Sequence, residues 1–209
     1  MTIRNRALCP LLSATLLVLL GGCFGTSPSA RFYSLTPQET RGIAVSERTG
    51  VIVRIGPVGI PSYLDRRQIV TRSGHNVIEL AEYDRWAGEL DDEVTRLLVN
   101  NLAGRLAARG ISVVPWQSIS LADAPTAYRI PVSIDRFEGI LGEKVVLNAS
   151  WAVIGKGDKQ ESTLIAREST ITEAVAGKDF TALVSAMGKA VEKLGNEIAG
   201  SISTLEIGK

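Results

Sequence analysis

Near the end of the chain, Phe180, Leu183, Val184, Met187, Val191, Leu194, Ile198 and Ile202 recur at spacings of three and four. Continued over about six turns, this spacing lays one apolar stripe along a helix, which another layer has to cover. Asp179 stands directly ahead of it, in the place of a capping residue. A shorter stripe of Leu90, Val94, Leu97, Leu98, Leu102 and Leu106 ends at Gly110. Its first turn holds Asp91, Asp92 and Glu93, acids that offset the positive end of a helix and can cap its free N–H groups. Between the two stripes the period changes from 3.6 to 2. Tyr128, Ile130, Val132 and Ile134 alternate with Arg129, Pro131, Ser133 and Asp135. Val145, Leu147, Ala149, Trp151 and Val153 form the larger-residue face of the next strand, and a third strand is expected over about 162–173. Two amphipathic helices beside such a meander predict an α+β fold. The expected form is a two-layer domain, a mainly antiparallel sheet with both long helices packed on one face.

Local signals refine this picture. Pro131 cannot donate to a ladder, so its strand is an edge there or carries a bulge. Phe137 falls out of phase with Ile134, which also predicts a bulge. Arg31–Leu35 suits a short strand, and Val51–Ile55 a second one stopped by Gly56-Pro57. Residues 68–72 and 76–80 flank Ser73-Gly74-His75 and predict a hairpin. His75 is the one histidine and sits where turn residues belong, so neither a metal centre nor a histidine-based triad is expected. Gly155-Lys156-Gly157-Asp158 lacks P-loop spacing and no helix follows it; it is expected to be a turn.

The start of the chain has a different character. Arg4 and Arg6 precede an apolar run from Ala7 to Leu20, too short for a span that needs about 20 residues. This is the layout of a secretory signal over residues 1–22. It ends Leu20-Gly21-Gly22-Cys23, which resembles a bacterial lipobox and implies cleavage before Cys23 and lipid on its thiol. A plain signal with an incidental cysteine is the simpler alternative, but all four residues stand where a lipobox requires them. Residues 23–30 then read as the lipidated cysteine and a flexible tether, and residues 31–209 as one domain. Phe24 follows the cysteine where an inner-membrane retention signal would place aspartate, so the expected location is the periplasmic face of the outer membrane.

Cys9 leaves with the signal and Cys23 is occupied, so no disulfide is expected within the mature chain. The whole chain carries a net charge of +1, and loss of Arg4 and Arg6 makes it about −1. No basic run interrupts that balance, which argues against a nucleic-acid partner.

Several landmarks occur in one order behind the lipobox. They are Arg31–Leu35, the run from Val58 through Ile60-Pro61-Ser62-Tyr63-Leu64-Asp65-Arg66-Arg67 to Val70, and Tyr83-Asp84-Arg85-Trp86 leading toward the first helix. Gly142–Leu147 and Ser150-Trp151 then precede the last strand and the long helix. The set resembles the ABC-type transport auxiliary lipoproteins, a group that includes intermembrane transport lipoproteins. Arg67 departs from it, since relatives often carry proline there.

The resemblance implies a non-enzymatic lipoprotein with no cofactor beyond the covalent lipid on Cys23. It implies work beside an MCE-domain protein and its inner-membrane partners, moving phospholipid between membranes and docking the conduit at outer-membrane lipids. A homo-oligomeric collar would fit that role. The alternative is a structural or assembly lipoprotein of the outer membrane with a non-MCE partner. A tethered hydrolase is disfavoured by the single histidine in a turn and the lack of Gly-x-Ser-x-Gly. Ile60, Pro61, Tyr63 and Leu64 in a proline-punctuated loop, with Trp86, are the candidate partner or self-association surface. Tyr63 and Trp86 could equally cover the end of the helical layer.

Overall fold

The computed structural model describes residues 28–37, 51–74, 76–118, 126–156 and 161–205. Cys23, His75 and the Gly157-Asp158 part of the expected turn lie outside the described residues. The strands are β1 (Arg31–Tyr33), β2 (Val51–Gly59), β3 (Gln68–Arg72), β4 (Ile78–Trp86), β5 (Ile111–Pro115), β6 (Thr126–Ile140), β7 (Lys144–Lys156) and β8 (Glu161–Ala174). Helix α1 spans Leu90–Leu106 and α2 spans Phe180–Ser203.

The α+β reading holds, and the sheet is mixed. Its path runs β1-β4-β3-β6-β2-β5, with β7 on β6 and β8 on β7. The long ladders β6–β7 and β7–β8 are antiparallel, as a meander requires. Strand β2 lies parallel to both β5 and β6, and β1 lies parallel to β4. Strand β6 is long enough to carry two neighbours end to end on one side. Strand β2 pairs with its first half, and β3 meets it at Thr71↔Gly139. The sheet therefore forks along β6.

Both helices pack against the sheet and against each other, α1 over β2 and β5, α2 over β6, β7 and β8. Every residue of the shorter apolar stripe, from Leu90 to Leu106, is buried, and so are Leu183, Val184, Met187, Val191, Leu194, Ile198 and Ile202. They meet Ile130, Val132, Ile134, Phe137, Val145, Leu147, Trp151 and Val153 from the sheet. Asp179 caps α2 as expected, its Oδ1 accepting from the Ala182 N–H at 2.8 Å. Helix α1 gives way to one 3-10 turn and ends at Gly110, whose φ of 69° only glycine adopts without strain.

Three expectations change. The strand through Val51–Ile55 is not stopped at Gly56-Pro57; it runs on to Gly59. The ladder absorbs an extra β2 residue opposite Pro131, so the proline sits at a bulge inside the sheet. Tyr83–Trp86 belong to β4, not to a helix lead-in. The α1 N-cap, Glu89, has no side-chain cap bond, and Glu93 turns outward to the segment after β1. Its Oε2 accepts from the Leu35 N–H at 2.7 Å and the Ser34 hydroxyl at 2.8 Å. Arg96 closes the arrangement by donating to Glu93 and to the Leu35 carbonyl. The bulge at Phe137 is present, with an extra residue at Asp135 in the β6–β7 ladder, and it returns Phe137 to the core.

Candidate functional site

The loop between β2 and β3 folds on itself. The Leu64 N–H donates to the Pro61 carbonyl at 2.9 Å, and the Trp86 N–H reaches the Arg67 carbonyl at 2.7 Å. Its tyrosine is pinned. The Tyr63 hydroxyl donates to Glu138 Oε2 at 2.7 Å. Glu138 is wholly buried on β6, and its Oε1 also accepts from Arg72 Nε at 2.8 Å and Arg136 Nε at 2.7 Å. A buried carboxylate needs such donors to remain charged. Burial pushes the Glu138 carboxyl up, but bonds from Tyr63, Arg72 and Arg136 outweigh it and hold the pKa below its ordinary 4.5. Burial first, then the bond to Glu138, raises the Tyr63 phenol well above its usual value.

The candidates named from sequence are thereby separated. Ile60, Pro61 and Tyr63 are partly exposed in the loop. Leu64 and Trp86 are each 2% exposed and belong to the core, so neither can present a surface to a partner. For Trp86 the covering role is the correct one. Pattern reasoning missed Glu138 and Arg72, because a charged residue at an alternating position reads as solvated. Only the loop folding back over β6 buries that carboxylate.

Beside the loop lies a groove of about 860 Å³. Val132, Ile134, Trp151 and Val153 face the core, so alternation turns Pro131, Ser133, Ser150 and Ala152 to the sheet's other face. There Ser133 lies opposite Ser150, and Ala152 opposite Ala166. These small side chains leave a shallow, mainly apolar trough, which Pro57 and Gly59 extend toward the loop and which Arg167 and Glu168 border on β8. The prolines and glycines that looked like strand breakers in the sequence are its walls. Beneath it, Trp151 Nε1 donates to the Ser169 hydroxyl at 3.0 Å, and that hydroxyl donates to Glu197 of α2. The groove floor is thus tied to the helical layer.

Among the described residues no group of three His, Cys, Asp or Glu side chains could hold a metal ion. No described helix is long and apolar enough to cross a membrane.

Fold and surface together define a two-layer α+β domain whose distinctive features are a pinned loop and an apolar trough on its sheet. The chain belongs to the family of ABC-type transport auxiliary lipoprotein components, whose model matches residues 33–199. It is similar to the intermembrane transport lipoprotein PqiC of Escherichia coli (strain K12), with 21% identity over 138 residues, covering 66% of this chain and 70% of that one. Its fold resembles a crystal structure of an uncharacterized protein at 19% identity and a TM-score of 0.67, covering 84% of this chain and 99% of the other. A Xanthomonas campestris protein of known structure matches at 16% identity and a TM-score of 0.62, over 83% of this chain and 94% of its own. These two likenesses concern the fold. Family membership makes the chain a lipoprotein component of a transport system.

Proposed function

We infer that the protein is a non-enzymatic component of an MCE-type intermembrane phospholipid transport system. It is anchored through lipid on Cys23 to the periplasmic face of the outer membrane, where it docks the conduit. Residues 1–22 act as the signal, 23–30 as lipidated cysteine and tether, and 31–209 as a single domain without a cofactor. The observation that carries this reading is the family match across residues 33–199, joined by likeness to a protein named for intermembrane transport. The docking surface is the exposed part of the loop, Ile60, Pro61 and Tyr63, together with the adjoining groove at Pro57 and Gly59. Leu64 and Trp86 support that surface from inside the core. Self-association into a collar would use the same sheet face.

Mild crosslinking of the tagged, lipidated protein in its native envelope, followed by mass spectrometry, tests this reading. An MCE-domain protein with its permease or ATPase should copurify and be lost or displaced in Cys23→Ala. Cell-wall or barrel-assembly proteins in its place, with no MCE protein, would sink the transport reading.

A further inference from the structure

The β3–β4 hairpin ends in an exposed apolar cluster. Val77, Ile78 and Leu80 are 55%, 39% and 46% exposed. Ile78 lies opposite Arg72 and Leu80 opposite Val70, so both share one face of the ribbon, and Glu79 between them alternates to the other. The last pairing of β3 with the body of the sheet is Thr71↔Gly139. Beyond it the hairpin carries Val77 and Ile78 with Arg72, whose Nε is bonded to Glu138, and the uncharged Ser73 and Asn76, while Leu80 lies one step back toward the body, opposite Val70.

The position of this cluster relative to the N-terminus is set by β1. That strand runs parallel to β4 in the register Arg31↔Asp84, Phe32↔Arg85 and Tyr33↔Trp86. A parallel partner's earlier residues lie beside the earlier residues of its neighbour. The direction of β1 at Arg31 therefore leads back along β4 toward Ile78. Arg31 is clamped there, its Nε 2.8 Å from Asp84 Oδ1 and its Nη2 donating to Oδ2 at 3.0 Å. Residues 28–30 leave the sheet exposed. Ile78 stands six residues before Asp84, roughly 20 Å along an extended strand. Cys23 stands eight residues before Arg31, a reach of at most roughly 29 Å. A bilayer holding the cysteine is thus within the tether's reach of the hairpin tip, and the tether raises its effective concentration there.

We propose that Val77, Ile78 and Leu80 form a second membrane contact, dipping into the phospholipid leaflet that holds the lipid anchor. Ser73 and Asn76, which close the turn, enter the interface with them, and the domain stands on its hairpin. Apolar side chains beside small polar ones suit the interface, where two weak attachments act together. This inference rests on the reading of Cys23 as the lipidated residue.

The test uses the full mature chain, its lipid verified by intact mass, in phosphatidylethanolamine/phosphatidylglycerol vesicles. Lipid blocks Cys23, so Val77→Cys offers one site for an environment-sensitive fluorophore, with Lys189→Cys on the helical layer as reference. Spin-labelled phospholipid should quench the label at position 77 at least about threefold more than that at 189, and adding Ile78→Ser and Leu80→Ser should abolish the difference. Circular dichroism confirms that each variant is folded, and Asn76→Cys serves as a second reporter. Equal quenching at both positions in lipidated protein overturns the proposal. So does a spectral shift that follows protein concentration without vesicles, which would mean a second copy covers the tip. Absence of the lipid mass overturns the anchoring reading itself, and with it the tip's reason to face a bilayer.

Discussion

Tyr63, in the loop after β2, donates its hydroxyl to Glu138 on β6 at 2.7 Å, across 75 positions of sequence. This bond closes the loop over a buried carboxylate and holds the partly exposed Ile60-Pro61 edge in one place. The folded Glu138 carboxyl titrates below its ordinary 4.5, so it stabilises the fold above that pH and loses its contribution as pH falls through the folded pKa. Tyr63 is shifted upward, so its contribution is complete below about pH 10 and is lost as pH rises further. Tyr63→Phe removes one of three donors to the carboxylate. It should cost about 1.5–3 kcal/mol at neutral pH, raise the midpoint of acid unfolding and flatten the alkaline limb. Urea melts from pH 3 to pH 11 measure all three.

Gly139 marks the fork of the sheet, between Thr71 on one side and Val145 on the other. A Cβ there would stand 2.7 Å from Leu183 Cδ1 and 2.9 Å from the Lys144 carbonyl oxygen. The carbonyl belongs to the ladder and cannot swing away. Gly139→Ala should destabilise by about 1–3 kcal/mol. Gly200→Ala on α2, where a Cβ meets nothing within 4 Å, should instead stabilise by about 0.5–1 kcal/mol. Thermal melts of the two variants should move in opposite directions.

Trp86 fills the core at 2% exposure. Trp86→Ala should cost about 3–5 kcal/mol, and its loss of association would follow from unfolding, not from a lost contact. Pro61→Ala at the loop surface should leave the melting temperature nearly unchanged while weakening partner capture. Comparing stability with copurification separates the core residue from the surface one.

The groove offers a similar separation. Ala166 is exposed on β8 opposite Ala152. Ala166→Arg should alter stability by less than about 0.5 kcal/mol, as surface changes do, while filling the trough with a charged side chain. Crosslinked partner recovered from the envelope should fall sharply. Full recovery with Ala166→Arg would remove the groove from the docking surface.

Elements with one-dimensional signals were legible in the chain. The stripes of α1 and α2, the Asp179 cap, the alternation of β7 and the bulge before Phe137 all follow from spacing, because each reflects one face seeking burial. Pairing across distance was not legible. Nothing local places β2 between β5 and β6, or sets β1 parallel to β4, since parallel ladders join segments far apart in sequence. Trp86, just ahead of a helix, read equally as a surface anchor or as a covering residue; β4 carries it into the core.

By itself, then, the sequence determined the α+β class, both helices, the meander and the family landmarks, all consequences of periodicity and order along the chain. Only the tertiary structure decided that Glu138 would be buried under Tyr63, that Pro57, Gly59 and Pro131 would wall a groove, and that β1 would lie parallel to β4. Each of these depends on which strands become neighbours. That choice is made by packing two layers against one another, and no short window of residues contains it.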